Sequence, residues 1–159
     1  MTYSIEQLCD MIRNEKRLPP DFNQWYLKIN KEGDTIAHLA AMYNCLPPDF
    51  DRWYLRDKDE YTVAHSAAHY GYLPPNFNQW EIADIYGWTV AHQVVVRNYL
   101  PPNFNKWYLA NSHGWTVAHA AAWWYRLPSN FNQWELTDID GRTVRYIANT
   151  RKYSGQILL

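Results

Sequence analysis

The sequence predicts an all-α fold assembled from tandem helical repeats, an α-solenoid. Blocks that begin at Leu46, Leu73, Leu100 and Leu127 restart every 27 residues with Leu-Pro-Pro-Asn-Phe-Asn-Gln-Trp or a close variant, and an earlier block of 28 residues begins at Leu18. A fixed period of roughly 20 to 50 residues is typical of architectures in which each unit buries its apolar face against its neighbours. Such a fold offers a long surface rather than one cleft, so the sequence indicates binding.

The repeat explains most of the composition. The chain of 159 residues has nine prolines, all in Leu-Pro-Pro or Leu-Pro-Ser steps, and five phenylalanines, all at one repeat position. Five of the nine tryptophans follow three residues after those phenylalanines. Positions this regular belong to the scaffold, so we expect departures from the period to carry specific function.

Charge and cysteine content limit the function classes. The net charge of -1 gives no long-range attraction to nucleic acid or to an acidic membrane. The two cysteines, Cys9 and Cys45, are too few for a disulfide framework and are expected to be buried thiols in a reducing compartment. The amino-terminal segment lacks the apolar core of a signal peptide, and no apolar run reaches the about 20 residues of a membrane span. These features predict a cytoplasmic protein without a membrane partner.

Within one repeat, the apolar spacing predicts two helices. Leu73–Trp80 places apolar residues at i, i+4 and i+7, on one face of a short helix with proline in its first turn. Residues 84–87 predict a turn that ends on a glycine. Thr89 is then expected to cap a second helix over Val90–Val96, which ends near Asn98. Each repeat is therefore predicted to be helix, loop, helix, loop.

The segment after the turn carries a recurring motif. Asn111-x-x-Gly114-x-Thr116-x-x-His119 is followed by Ala-Ala-Ala, and similar patterns begin at Asn30, Asp57 and Asp84. This motif resembles the first half of the ankyrin repeat. The chain departs from that family in its short period, since ankyrin repeats run about 33 residues, and in having Thr-Val-Ala-His in place of Thr-Pro-Leu-His. The chain is thus identified as an ankyrin-like protein with compact repeats.

The resemblance implies a single ankyrin-like solenoid over residues 1–159. Residues 1–17 are expected to form an amino-terminal capping helix, because Ser4-Ile5-Glu6-Gln7 has the spacing of a capping box. The repeats begin at residues 18, 46, 73, 100 and 127. Residues 142–159 are expected to form the carboxyl-terminal cap, with the last helix stopping near Arg151 and Ile157–Leu159 folding back onto it.

Two observations argue against an enzyme or a metal protein. The resemblance implies that each of the four periodic histidines bridges a threonine hydroxyl and neighbouring backbone. Helix packing would keep these histidines about 10 Å apart, whereas zinc requires ligands about 2 Å from one centre. No nucleophile-elbow, Walker or zinc-protease motif occurs in the sequence. We therefore predict no catalytic residues, no metal site and no cofactor.

The non-periodic aromatic residues are the strongest functional signal. In ankyrin-like proteins the residue between Gly and Thr, the pair after the loop Asp and the pair after Ala-Ala face a concave groove, and the resemblance implies the same here. Trp and Tyr clusters with few charges are typical of interface cores. The expected partner-binding residues are Tyr61, Tyr70, Tyr86, Trp88, Arg97, His113, Trp115, Trp123 and Trp124.

The sequence thus predicts a protein-protein interaction module that binds through a concave, aromatic-lined groove. Near-identical repeats are consistent with recent duplication, which suggests a bacterial or viral (phage) inhibitor or effector acting by occlusion. Two alternatives stay open: a scaffold that self-associates through the same patch as a homo-oligomer, and a helical repeat protein that binds nucleic acid. The lack of a basic stripe disfavours the second.

Overall fold

The computed structural model describes residues 3–154, with side chains through Arg151. Within that range the chain is all-helical and contains only isolated β-bridges in place of strands. Consecutive helices pack against each other, an arrangement compatible with a helical repeat. None of the helices in this range is both long enough and apolar enough to cross a membrane. The helices are α1 (Ile5–Asp10, continued by a π-helical turn over Met11–Glu15), α2 (Ile36–Met42), α3 (Val63–Tyr70), α4 (Val90–Arg97), α5 (Val117–Trp123) and α6 (Val144–Ser154).

The repeat helices begin at threonine, as the sequence predicts. At the start of α4, Thr89 Oγ1 accepts from the His92 N–H at 3.4 Å, and the Thr89 N–H donates to His92 Nδ1 at 3.2 Å. This is a capping box in which histidine occupies the position usually held by Glu or Gln. The predicted end of the helix is also confirmed, because Asn98 adopts a left-handed conformation with φ of 64°.

The helix predicted over Leu73–Trp80 does not form. The segment contains two tight turns instead: Phe77 N–H donates to the Pro74 carbonyl at 2.9 Å, and Ile82 N–H donates to the Gln79 carbonyl at 3.3 Å. The equivalent segments of the other repeats also lack a helix. A residue that precedes proline is pushed out of the α region, and the Pro-Pro pair imposes this twice. Each repeat therefore contains one helix rather than a pair.

The two ends of the chain differ in how well they match expectation. Near the amino terminus Ile5–Asp10 forms a helix, and Ser4 forms the capping box with Gln7; the role of residues 1–17 as a cap stays a prediction. At the other end α6 continues to Ser154, beyond the expected stop near Arg151. The proposed fold-back of Ile157–Leu159 lies outside the described residues.

Each repeat also forms a short hairpin before its helix. In the third repeat an antiparallel bridge joins Ala83 to Thr89, and Asp84 Oδ1 accepts from the N–H groups of Tyr86 and Trp88, both at 2.9 Å. Successive hairpins are joined by hydrogen bonds, as where the Ser112 N–H donates to the Tyr86 carbonyl at 3.0 Å. The hairpin tips therefore form a continuous row along the repeats.

The scaffold aromatics form a second continuous row. The five phenylalanines and the five periodic tryptophans alternate from Phe22 to Trp134 in nine successive edge-to-face contacts. Their ring centroids lie 4.8–5.6 Å apart, within the range of favourable aromatic pairs. We call this row the Phe-Trp ladder. It packs the turn segments of neighbouring repeats together where a second helix is absent.

The hairpin row explains a requirement for glycine that can be tested with two matched substitutions. Gly87 and Gly141 both have positive φ, of 72° and 74°. A Cβ at position 87 would lie 2.7 Å from the Ser112 backbone nitrogen, whereas one at position 141 would have no described atom within 4 Å.

We expect Gly141→Ala to lower the free energy of unfolding by about 1 kcal/mol, the cost of a left-handed L-residue. Gly87→Ala should cost more, because the next hairpin must also shift. Urea denaturation measures both values. Equal losses would show that contact between hairpins contributes nothing to stability.

Candidate functional site

Four buried histidines connect each repeat to the next. Each Nδ1 accepts from the backbone N–H of the capping threonine, so this nitrogen carries no proton and Nε2 carries it instead. In the third repeat, Nε2–H of His92 donates to the Trp115 carbonyl at 2.9 Å. This confirms the structural role that the sequence predicts. The bridges are His38 to Tyr61, His65 to Trp88, His92 to Trp115 and His119 to Arg142.

Burial keeps these histidines neutral. Loss of solvation lowers the pKa of His92 to about 4, and it also lowers the pKa values of His38, His65 and His119. A protonated ring would place an Nδ1–H against the threonine N–H and break the capping box. The histidines are therefore parts of the scaffold that also determine the position of the aromatic residues above them.

Three predicted site residues lie directly on this histidine row. The Tyr61, Trp88 and Trp115 rings stack at a tilt on the histidine of their own repeat, with centroid distances of 4.9, 4.7 and 5.2 Å. All three side chains are half-buried rather than exposed. Burial raises the pKa of the Tyr61 phenol to about 12, and its hydroxyl donates to the His65 carbonyl at 3.2 Å. These rings therefore form the floor of a surface rather than its exposed edge.

Other predicted residues are more accessible. Tyr70, Trp123 and Trp124 at helix ends are 43%, 39% and 44% exposed, and Tyr86 at a hairpin tip is 63% exposed. The rings of Trp115 and Trp123 make an edge contact at 6.4 Å, which joins the hairpin row to the helix ends. His113 is exposed at the next hairpin tip. We call the surface formed by the nine predicted residues the aromatic face.

Arginines from the last repeat border the aromatic face. The Arg142 guanidinium lies 5.9 Å from the Trp115 ring and is held by hydrogen bonds and ion pairs to Asp138 and Asp140. The Arg151 guanidinium lies 4.3 Å above the Trp123 ring. Cations over tryptophan faces are favourable and hold the ring in one orientation. The face is therefore partly pre-organised before any partner binds.

Arg97 lies in a small polar cluster that the sequence does not indicate. Its Nη2 contacts Nδ1 of His69 at 3.0 Å and also its Nε2, and Gln93 Nε2 donates to the same Nδ1 at 2.8 Å. His69 thus faces two donors, and burial together with the neighbouring Arg97 lowers its pKa. The signal that could have revealed this cluster is the register, because His69 and Arg97 lie one repeat plus one residue apart.

The loop carboxylates have an observed structural function. Asp57, Asp84 and Asp138 each accept backbone N–H bonds within their own hairpin turn. Among the described residues, no three His, Cys, Asp or Glu side chains are grouped so as to hold a metal ion. The arrangement is thus a row of half-buried rings stacked on the histidines, with more exposed aromatic side chains at a hairpin tip and at helix ends.

Comparison with known proteins leaves the family open. No protein-family model matches this chain, and no curated protein matches it.

The histidine row predicts a specific loss of stability in acid. A histidine whose pKa is lowered by folding binds its proton in the unfolded state first, so stability is complete above about pH 6.5 and falls as the pH is lowered toward the folded value. For His92 that range extends from 6.5 to about 4. Near pH 5, His92 should contribute a slope of about 1.4 kcal/mol per pH unit to the free energy of unfolding.

His92→Gln removes one of these titrations while retaining groups that can hydrogen bond. We expect the variant to be destabilised at pH 8 and to show a shallower pH dependence, so that the difference from wild type shrinks at pH 5. Urea midpoints measured from pH 8 to pH 4 check this. Parallel curves for the two proteins would contradict it.

Proposed function

We propose that this protein is an ankyrin-like solenoid that binds a protein partner through the aromatic face of its third and fourth repeats. The single observation that carries the proposal concerns the four tryptophans that do not belong to the Phe-Trp ladder. All four belong to the aromatic face. Two of them, Trp88 and Trp115, form the half-buried floor, and Trp123 and Trp124 are the exposed anchors. Tryptophan and tyrosine dominate binding energy in protein interfaces, and large exposed apolar patches are uncommon on monomers.

Rigidity supports the same proposal. The rings of the floor stack on hydrogen-bonded histidines, and arginines lie over Trp115 and Trp123. Side chains that are already ordered lose little entropy on binding. Binding would then act by occlusion or scaffolding, as an inhibitor or effector does, with no catalytic step.

Two other functions make different predictions. A self-associating scaffold would show a mass that rises with concentration in sedimentation or sizing experiments. A nucleic-acid-binding protein would lose affinity steeply with added salt, because phosphate contacts release counterions. The chain has 15 Lys and Arg against 16 Asp and Glu, which favours a protein partner over nucleic acid.

The proposal is tested by capturing partners from a lysate of the source cell with three forms of the protein. The first form is wild type, and the second carries Tyr86→Ala and Trp124→Ala on the aromatic face. The third carries Tyr54→Ala and Tyr108→Ala, which remove tyrosines of similar exposure, 59% and 53%, from the turn segments. A protein retained by the first and third forms, and lost by the second, is the expected result. Retention by all three would place the binding surface elsewhere.

For a partner found in this way, we expect Trp124→Ala to weaken binding by about 2 kcal/mol, or roughly thirtyfold in Kd. The ring is exposed, so helix content should stay unchanged by circular dichroism. Titration calorimetry with purified partner measures the loss. A change of less than twofold would contradict the assignment of Trp124 as an anchor.

A further inference from the structure

The repeat helices carry a one-sided charge pattern. The sequences of α2 to α6 contain four cationic residues, Arg97, Arg145, Arg151 and Lys152, and no acidic residue. The 16 acidic residues of the chain all lie in the amino-terminal helix, the hairpins and the turn segments. The helix ends of the aromatic face therefore present positive charge and aromatic rings without carboxylates.

Arg97 is the cation among the nine residues of this face, and among the residues that the structure describes no carboxylate oxygen lies within 4.0 Å of its guanidinium. Six other cationic side chains have a carboxylate oxygen within 4.0 Å: Arg17, Arg52, Arg56, Lys106, Arg142 and Arg145. In the part of the chain that the structure describes, the exposed side chain of Arg97 makes its hydrogen bonds to the ring of His69. That ring accepts from Arg97 and from Gln93, so it does not neutralise the charge.

The repeat places Arg97 and Trp124 at the same position of neighbouring repeats, where both could contact one partner segment. Tyr70, Arg97 and Trp124 occupy equivalent positions in three consecutive repeats, 27 residues apart. The Arg97 guanidinium lies against His69 of the preceding repeat, whereas Trp124 belongs to the following repeat. Packed helices lie about 10 Å apart, so the guanidinium and the Trp124 ring are separated by at least about that distance. In an extended chain that rises about 3.1 Å per residue and has three residues per turn, residues i and i+3 project to the same side at about 9 Å.

We propose that the aromatic face binds an extended acidic segment of its partner, with an Asp or Glu carboxylate on Arg97 and, three or more residues away along the segment, an apolar side chain on Trp124. This inference rests on the proposed function, because it specifies the chemistry of the same surface. A carboxylate forms charge-assisted hydrogen bonds to the planar guanidinium that a neutral side chain cannot match. The helices that contribute Arg97 and Trp124 to the face carry no acidic residue that would repel such a segment.

The test uses a random dodecapeptide phage library selected on the full-length wild-type protein. Recovered peptides should be enriched in Asp or Glu three or more residues from an aromatic or aliphatic residue. A synthetic peptide of this kind should lose about tenfold in affinity on Arg97→Gln, as expected for a hydrogen bond to a charged group. Replacing its Glu by Gln should cost the same, and the two changes together should cost no more than either alone.

Two further variants isolate the contact. Arg97→Lys keeps the charge and should retain part of the affinity. Arg126→Gln removes an exposed arginine that also lacks a carboxylate partner among the described residues but lines a cleft between proline segments, and it should leave affinity unchanged. Urea midpoints confirm that each variant is folded.

The outcomes separate this inference from the proposed function. Selected peptides without acidic residues that still require Trp124, or acidic peptides that bind Arg97→Gln normally, would overturn the inference and leave protein binding by the face intact. Recovery of no specific peptide would also overturn it, since an extended segment would be represented in the library. Loss of both peptide selection and partner capture would overturn the proposed function as well.

Discussion

The hydrogen-bonded histidine at the start of each repeat helix is the interaction on which the rest of the structure depends. One ring completes the capping box of its own helix and, through its other nitrogen, holds the hairpin of the next repeat. Both bonds require the neutral ring in one tautomer, and burial imposes that state. The histidine therefore determines where the helix starts, how the next repeat is placed and where the aromatic ring that stacks on it lies.

The Phe-Trp ladder performs a complementary task on the other side of the repeats. A turn segment with two prolines forms few backbone hydrogen bonds, so it cannot be stabilised as a helix would be. Alternating edge-to-face rings, with centroids 4.8–5.6 Å apart, supply that stability from side chains instead. This explains why phenylalanine and tryptophan recur without variation while the residues at the hairpin tips and helix ends differ from repeat to repeat.

The sequence predicts the parts of this fold that are determined locally. The bounds of α4 follow from Thr89 and Asn98, because caps act within one turn of a helix. The helix expected over Leu73–Trp80 fails because apolar spacing alone does not weigh the double restriction that two prolines place on the backbone. The candidate site shows a similar division. Residues at equivalent positions, 27 residues apart, can be aligned from the sequence. The half-burial of Trp88 and Trp115 and the contact between Arg97 and His69 cannot, because they depend on packing between neighbouring repeats.

The repeat that begins at residue 127 lacks the bridging histidine. Tyr146 occupies the position of the bridging histidine and is 55% exposed, and no described atom lies near the Cβ position of Gly141. Each interior repeat, by contrast, has a histidine that donates a hydrogen bond to the next repeat and a hairpin carbonyl that accepts one from the histidine of the preceding repeat. Copies of an interior repeat are therefore interchangeable at their junctions, whereas a copy placed after Tyr146 would lack the histidine bridge. The array can change length by gain or loss of internal repeats, which would alter the span of the aromatic face while preserving both ends.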